Sequence, residues 1–211
     1  LAHLWHEFAE ENDILYSVFA GNLLGYYREN NHILYDDDFD IIMREKDWTI
    51  LDDIWNNSGP SNIQVTGEWH ISCWEYKKMK MYNVDIILIK YMRSSDMGGS
   101  WWRGPWYKIK LNNRHNLYNL DQGGIDLSVC MKSKGEYRGS INILNDCFDF
   151  PKNDSFISDF PIQEYGPIKL RIVNENIGIR CLNGMYTKNW TIKKHPDLVT
   201  SDLKPSYKIE E

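Results

Sequence analysis

No window of this 211-residue sequence approaches ~20 consecutive apolar residues, so nothing in it reads as a membrane-spanning helix. The four cysteines, at 73, 130, 147 and 181, form no CxxC pair and no zinc-type spacing, and they read as scattered reduced thiols. Positive charge is in short supply. The net charge is −6, which argues against a whole-surface nucleic-acid binder, and Lys77, Lys78 and Lys80 form a small basic cluster. Internal repeats and low-complexity tracts are also missing. The opening "LAHLWHEFAEEND" carries two histidines and three glutamates and lacks the plan of a signal peptide. The chain begins at Leu1 rather than Met, which leaves room for upstream sequence and for an anchor within it.

The apolar fraction of 42% is enough for the core of one large domain. Hydrophobic spacing predicts a helix over 1–12, a buried strand over 14–21 and a short helix over 22–30. A strand over 33–43 and a helix over 45–55 follow, then strands of the same sheet over 69–78 and 81–90. Residues 94–150 are rich in Gly, Asn, Ser and Trp and read as loops with short strands. "GPIKLRIV" (166–173) is a strand, and 174–190 is either a hairpin strand or a short helix. This order implies an α+β domain with a mixed sheet and flanking helices. Its core is expected in residues 1–92, its loop-rich C-terminal part in 93–195, and a polar tail in 196–211.

"NHILYDDDFDIIM" (31–43) places four aspartates in five positions and then turns apolar. Two unit charges about 4 Å apart repel by roughly 4 kcal/mol at an effective dielectric near 20, so something should neutralise them. Side chains alternate along a strand. Asp36, Asp38 and Asp40 would then share one face, with Tyr35, Phe39, Ile41 and Met43 on the other. Such a row suits Mg²⁺ or Mn²⁺, and a DxD pair can hold one or two such ions for phosphoryl chemistry. An EF-hand is excluded, because its sixth and twelfth positions are Ile41 and Asp47 rather than Gly and Glu. A solvated acidic turn is the bland alternative.

Asp85, an isolated acid within "NVDIILI", weighs against the bland alternative. A buried unpaired carboxylate costs several kcal/mol, or else it holds a proton. A cation shared with Asp38 and Asp40 would relieve that cost. DxD on one strand with a third Asp on another is the site plan of nucleotidyltransferases. In that plan a glycine turn precedes the DxD, and Gly21 is expected there, at the end of the first strand. The amides of Asn22 and Leu23 would open the next helix as an anion site.

With these residues in place, "YSVFAGNLLGYYRENNHILYDDDFDIIM" resembles the signature of the LicD/fukutin family. Gly21, Leu23, Leu24, Gly25, Arg28, Tyr35, Asp36, Asp38 and Asp40 fall in register, and "NVDIIL" is similar to the family's later strand, placing Asp85 on its third carboxylate. The similarity covers about residues 1–90. It returns more weakly at "DFPIQEYGPIKLRIV" and "CLNGMYTKNW". Asn22 stands where Ser or Thr is usual, and Leu34 where Pro is usual. The late Tyr-Gly pair reads Tyr186-Thr187.

The resemblance implies a nucleotidyltransferase-like fold. It also implies transfer of a phospho-alcohol or phospho-sugar from a nucleotide-linked, CDP-type donor to a glycan. Asp38 and Asp40 would hold Mg²⁺ (or Mn²⁺) on the donor diphosphate, with Asp36 as an outer ligand. Asp85 would complete the site and take the acceptor's proton. Gly21, Asn22 and Arg28 would face the donor phosphate. Relatives act in the bacterial cytoplasm or the Golgi lumen, so the resemblance leaves the compartment open. Two alternatives stand beside this reading: a nucleotidyltransferase that uses an NTP and releases pyrophosphate, and a non-enzymatic glycan-binding relative. The stretch "GGSWWRGPWYK" (98–108) reads as a packed loop or a saccharide platform.

Overall fold

The computed structural model describes residues 1–34, 36–66, 72–92, 107–114, 117, 120, 123–130, 160–186 and 190–191. Tyr35, the tryptophan-rich residues 98–106 and the tail 196–211 lie outside the described residues. The chain opens with helix α1 (Ala2–Glu11), strand β1 (Tyr16–Val18) and helix α2 (Ala20–Glu29). Strand β2 (Asp38–Arg44), a 3-10 turn (Glu45–Asp47) and helix α3 (Trp48–Asn57) follow. Strands β3 (Asn62–Thr66), β4 (Ser72–Met81), β5 (Val84–Met92), β6 (Tyr107–Leu111) and β7 (Gly124–Cys130) complete the main sheet. A small hairpin, β8 (Ile162–Tyr165) and β9 (Ile168–Arg171), leads into helix α4 (Glu175–Met185).

The sheet has seven strands in the order β1-β2-β7-β6-β5-β4-β3. Only β2 and β7 run parallel; the other pairs are antiparallel. The fold is therefore α+β with a mixed sheet. Its strands come from both sides of residue 92, since β6 and β7 fill the middle. No helix among the described residues is long and apolar enough to cross a membrane.

Three local expectations change. The acid strand begins at Asp38 rather than at residue 33, so Asp36 lies in the approach to it and not on its face. Helix α2 begins at Ala20, which puts Gly21 inside its first turn rather than at the end of β1. Residues 175–185 choose helix over hairpin, because Asn174 caps them, its Oδ1 accepting from the Ile177 amide at 3.2 Å.

Strand alternation distributes the core. Ile41 and Met43 of β2, Leu127 and Ile125 of β7, Tyr107 and Ile109 of β6, and Ile86 and Leu88 of β5 pack with Trp5, Trp48, Leu51 and Trp55 of α1 and α3. On the other face, Ile42 joins Leu23 and Leu24 of α2, Leu170 of β9, and Cys181 and Leu182 of α4. Farther along that face, Ile87 and Ile89 of β5 pack with Leu120. Between these two apolar patches the same face carries Asp38, Asp40, Asp126, Lys108 and Lys110. Tertiary packing thus encloses a polar strip. A second tie holds α1 to β9, where Glu10 takes the Arg171 guanidinium through both oxygens, at 2.5 and 2.6 Å.

Candidate active site

The strip is built by register. β2 and β7 run parallel with Asp40 beside Asp126 and Asp38 beside Gly124. Antiparallel β6 brings Lys108 opposite Asp126. Gly124 has φ of +93°, and a Cβ there would lie 2.7 Å from the Ile109 carbonyl oxygen and 2.6 Å from Lys110 Cγ. The glycine is therefore required for β7 to begin against β6 with the Lys110 chain lying over it.

Asp38, Asp40 and Asp126 each offer a carboxylate oxygen within 4.8 Å of the others. Asp36, Asp37 and Asp38 form a second, more exposed group at the same spacing. Burial drives Asp40 well above the usual carboxylate range, and the charges of Asp38 and Asp126 push it further. Asp126 is pushed up to about 6, because burial outweighs the attraction of Lys108. The Lys108 ammonium stands 3.0 Å from Asp126 Oδ1 and pairs with it. Asp36 also rises to about 6, first through burial and then through Asp38.

Helix α2 frames the other side. The Asn22 side chain is fully buried and fixed at both ends. Its Oδ1 accepts from the Asp40 amide at 2.5 Å. Its amino group must therefore donate to His32 Nδ1 at 2.9 Å, which leaves Nε2–H of His32 to donate to the Asp36 carbonyl at 2.8 Å. One asparagine thus pins the DxD strand and the preceding loop to α2. Gly21 faces Asp36 so closely that a Cβ would run into the Asp36 carboxylate.

The sequence-predicted residues separate at this point. The structure brings together Asp36, Asp38, Asp40, Gly21 and Asn22. The expected donors change: the Asn22 and Leu23 amides already donate to the Phe19 carbonyl, and the Asn22 side chain serves Asp40 and His32. The helical amides left without a carbonyl below them are those of Ala20 and Gly21. Arg28 sits eight residues from Ala20, about 12 Å along the helix axis. Its Nε and Nη1 are buried and have no hydrogen-bond partner among the described residues.

Asp85 is not with the others. It is the second residue of β5 and pairs with Lys80 of β4 at 3.5 Å, with 61% of its side chain exposed. Register puts it three strands from β2, about 14 Å away. The expectation of a buried acid fails because Asp85 follows the Tyr82–Asn83 turn, ahead of the apolar run rather than inside it. The third carboxylate of the cluster is Asp126, which the sequence reading missed. Its signal was the same: an isolated acid in "GIDLSV".

The donor set fits a hard divalent cation: three carboxylates converge, and the charges of Asp38 and Asp126 bear on buried Asp40. The family model described as LicD/FKTN/FKRP, nucleotidyltransferase domain, matches residues 13–129, more than half of the chain. That span reaches past the 90 residues in which the resemblance was read and takes in β7 with Asp126. No curated protein matches the chain.

Proposed function

Because the chain belongs to the LicD/FKTN/FKRP nucleotidyltransferase-domain family, we propose that it is a metal-dependent phosphotransferase. In this reading it moves a phospho-alcohol or phospho-sugar from a CDP-type donor to a glycan. The observation that carries the proposal is the convergence of Asp38, Asp40 and Asp126 within 4.8 Å on paired parallel strands. Mg²⁺ or Mn²⁺ held there would neutralise phosphate charge that three bare carboxylates would otherwise repel.

The chain's own residues supply the rest. Asn22 fixes the backbone of Asp40, so the DxD oxygens are set before the donor arrives. Arg28 brings a guanidinium whose buried Nε and Nη1 have no partner among the described residues and whose planar fork suits a phosphate. Helical side chains lean toward the N-terminus, which shortens its distance to the acids. The acceptor hydroxyl attacks the phosphorus next to the alcohol or sugar. The bond from that phosphorus to the nucleoside monophosphate breaks, and the monophosphate leaves. Asp126, beside Asp40 on the paired strand, takes the hydroxyl proton. Asp36 acts from outside the cluster, orienting Asp38.

The test is a screen of CDP- and UDP-linked donors with Mg²⁺ or Mn²⁺, reading the released nucleotide and the product mass. CMP or UMP release with phosphate retained on the acceptor is expected. Pyrophosphate release from CTP or UTP, with a nucleotide left on the acceptor, would replace this reading with a nucleotidyltransferase.

A further inference from the structure

A cavity of about 580 Å³ is lined by none of the clustered aspartates. It opens between the C-terminal turn of α2 (Tyr26, Tyr27 and Asn30), strand β8 (Gln163 and Glu164) and Glu175 at the start of α4. Its volume is in the range of small-ligand sites. We propose that this cleft binds a neutral saccharide, as a subsite for the part of the acceptor glycan remote from the reacting hydroxyl. Calling that saccharide an acceptor rests on the phosphotransferase reading; the binding itself does not.

The lining decides the ligand class. Among the described residues it holds two carboxylates and no Lys, Arg or His, which disfavours phosphates and nucleotides. Amides and carboxylates are planar groups that match pairs of hydroxyls. Among the described residues the side chains of Asn30, Gln163, Glu164 and Glu175 have no hydrogen-bond partner, so their capacity is open to a ligand. Two tyrosine rings supply the faces and edges on which sugar C–H groups pack.

The aromatic wall is rigid before any ligand comes. Tyr26 stacks on buried Tyr165 with centroids 6.4 Å apart and planes 10° from parallel. It meets Tyr27 edge-on at 5.0 Å. Tyr27 in turn meets Trp190 edge-on at 6.3 Å, and its hydroxyl lies 2.5 Å from where a Cβ on Gly178 would stand. Little of the two tyrosines' side-chain entropy remains to be lost on binding. The cleft also borders the catalytic frame. The Tyr165 hydroxyl donates to the Asn22 carbonyl at 3.3 Å, and the Asn22 side chain holds Asp40. One layer of side chains therefore joins the wall of the cleft to the DxD strand.

The experiment is an array of neutral and of sulfated or phosphorylated oligosaccharides, probed with the full chain without divalent metal. Retention of at least one neutral saccharide is expected. Tyr26→Ala should weaken it about tenfold or more. Gln163→Arg, at an exposed strand position that the fold tolerates, should do the same by filling the cleft with a bulky cation. Asp126→Asn should bind as wild type does, so failure of the phosphotransfer assay would leave the saccharide result standing. Three outcomes would overturn the proposal: no neutral saccharide retained, retention indifferent to Gln163→Arg, or a preference for the anionic glycans.

Discussion

Asp85 and Asp126 look alike in sequence and unlike in space. Each is a single acid bounded by isoleucine, valine or leucine, in "VDIILI" and in "GIDLSV". Asp85 opens a strand beside a hairpin turn and faces Lys80 in solvent. Asp126 lies on an interior strand of the main sheet, beside Asp40, and is nine-tenths buried. An isolated acid in an apolar run is therefore a statement about cost, and register decides whether the cost is incurred. At the β4–β5 hairpin it is not. At the β2–β7 seam it is, and the residues there are arranged around it.

The largest expected effect separates the two acids in turnover. Asp126→Asn should keep the fold and lose about 10²–10⁴-fold in rate, the scale of a positioned acid or base. Asp85→Asn should retain wild-type turnover. The measurement is nucleotide release from whichever donor the screen identifies. Equal losses in both variants would restore Asp85 to the site and break the contrast.

Titration should divide them as well. Asp126 has an ordinary carboxyl value of 3.8 when unfolded and about 6 when folded, so between these the folded state binds more protons. Its contribution to stability is present below about 4 and is lost as the pH rises through 6. The gap corresponds to about 3 kcal/mol. Metal-free wild type should therefore lose stability between pH 4 and 6.5 relative to Asp126→Asn, while Asp85→Asn should follow wild type. Denaturant melts across that window check the difference. Parallel profiles for wild type and Asp126→Asn would contradict it.

A divalent cation should reverse that loss at neutral pH. Linkage gives about 2.7 kcal/mol at a hundredfold excess over Kd, or a Tm rise of roughly 5–10 °C for a chain of this size. The double variant Asp38→Asn, Asp40→Asn should show no such rise. Without metal it should be at least as stable as wild type, because repulsion is relieved. A metal-induced shift of equal size in the double variant would move the cation elsewhere.

These tests also show what was legible in the sequence. The acid pair Asp38 and Asp40 was, because alternation on one strand is a local property. The α+β class followed from the order of elements. The partner acid was not legible, since parallel pairing of β2 with β7 joins residues more than eighty apart. Lys108 and Lys110 were hidden for a related reason. "YKIKL" alternates like a strand with one wet face, yet the structure leaves both lysines 2% exposed. On that face the strip lies between the cluster of α2 and α4 with Ile42 and that of Leu120 with Ile87 and Ile89, both built from residues remote in sequence. Asn22 was legible only as a departure from Ser or Thr. Its length explains the departure, since it spans to both the Asp40 amide and His32.

Asn22 offers the next smaller effect. Asn22→Ala leaves the buried Asp40 amide without its acceptor and should cost about 1–3 kcal/mol. Asn22→Ser, the family's usual kind of residue, is too short to hold both partners and should fall between alanine and wild type. Thermal melts rank the three. A serine variant as stable as wild type would show that the double anchor at the seam is not needed.

The smallest effect belongs to the hairpin. Lys80 and Asp85 are 3.5 Å apart, with 67% and 61% of their side chains exposed. Exposed pairs lose in side-chain entropy and screening most of what they gain in attraction, and they typically contribute about 0–1 kcal/mol. A double-mutant cycle of Lys80→Ala with Asp85→Ala should therefore give a coupling within that range, falling further in high salt. Asp126 and Lys108, at 3.0 Å and with side-chain exposures of 9% and 2%, are the same kinds of charge with the solvent removed. Taking the partner from a buried ion is expected to cost about 3–5 kcal/mol, so Lys108→Met should destabilise the metal-free protein at neutral pH far beyond anything seen at the hairpin. Measured together, the two pairs isolate burial as the variable. A hairpin coupling as large as the Lys108 effect would mean that Asp85 is held in a drier place than its exposure indicates, and the distinction drawn between these acids would fail at its root.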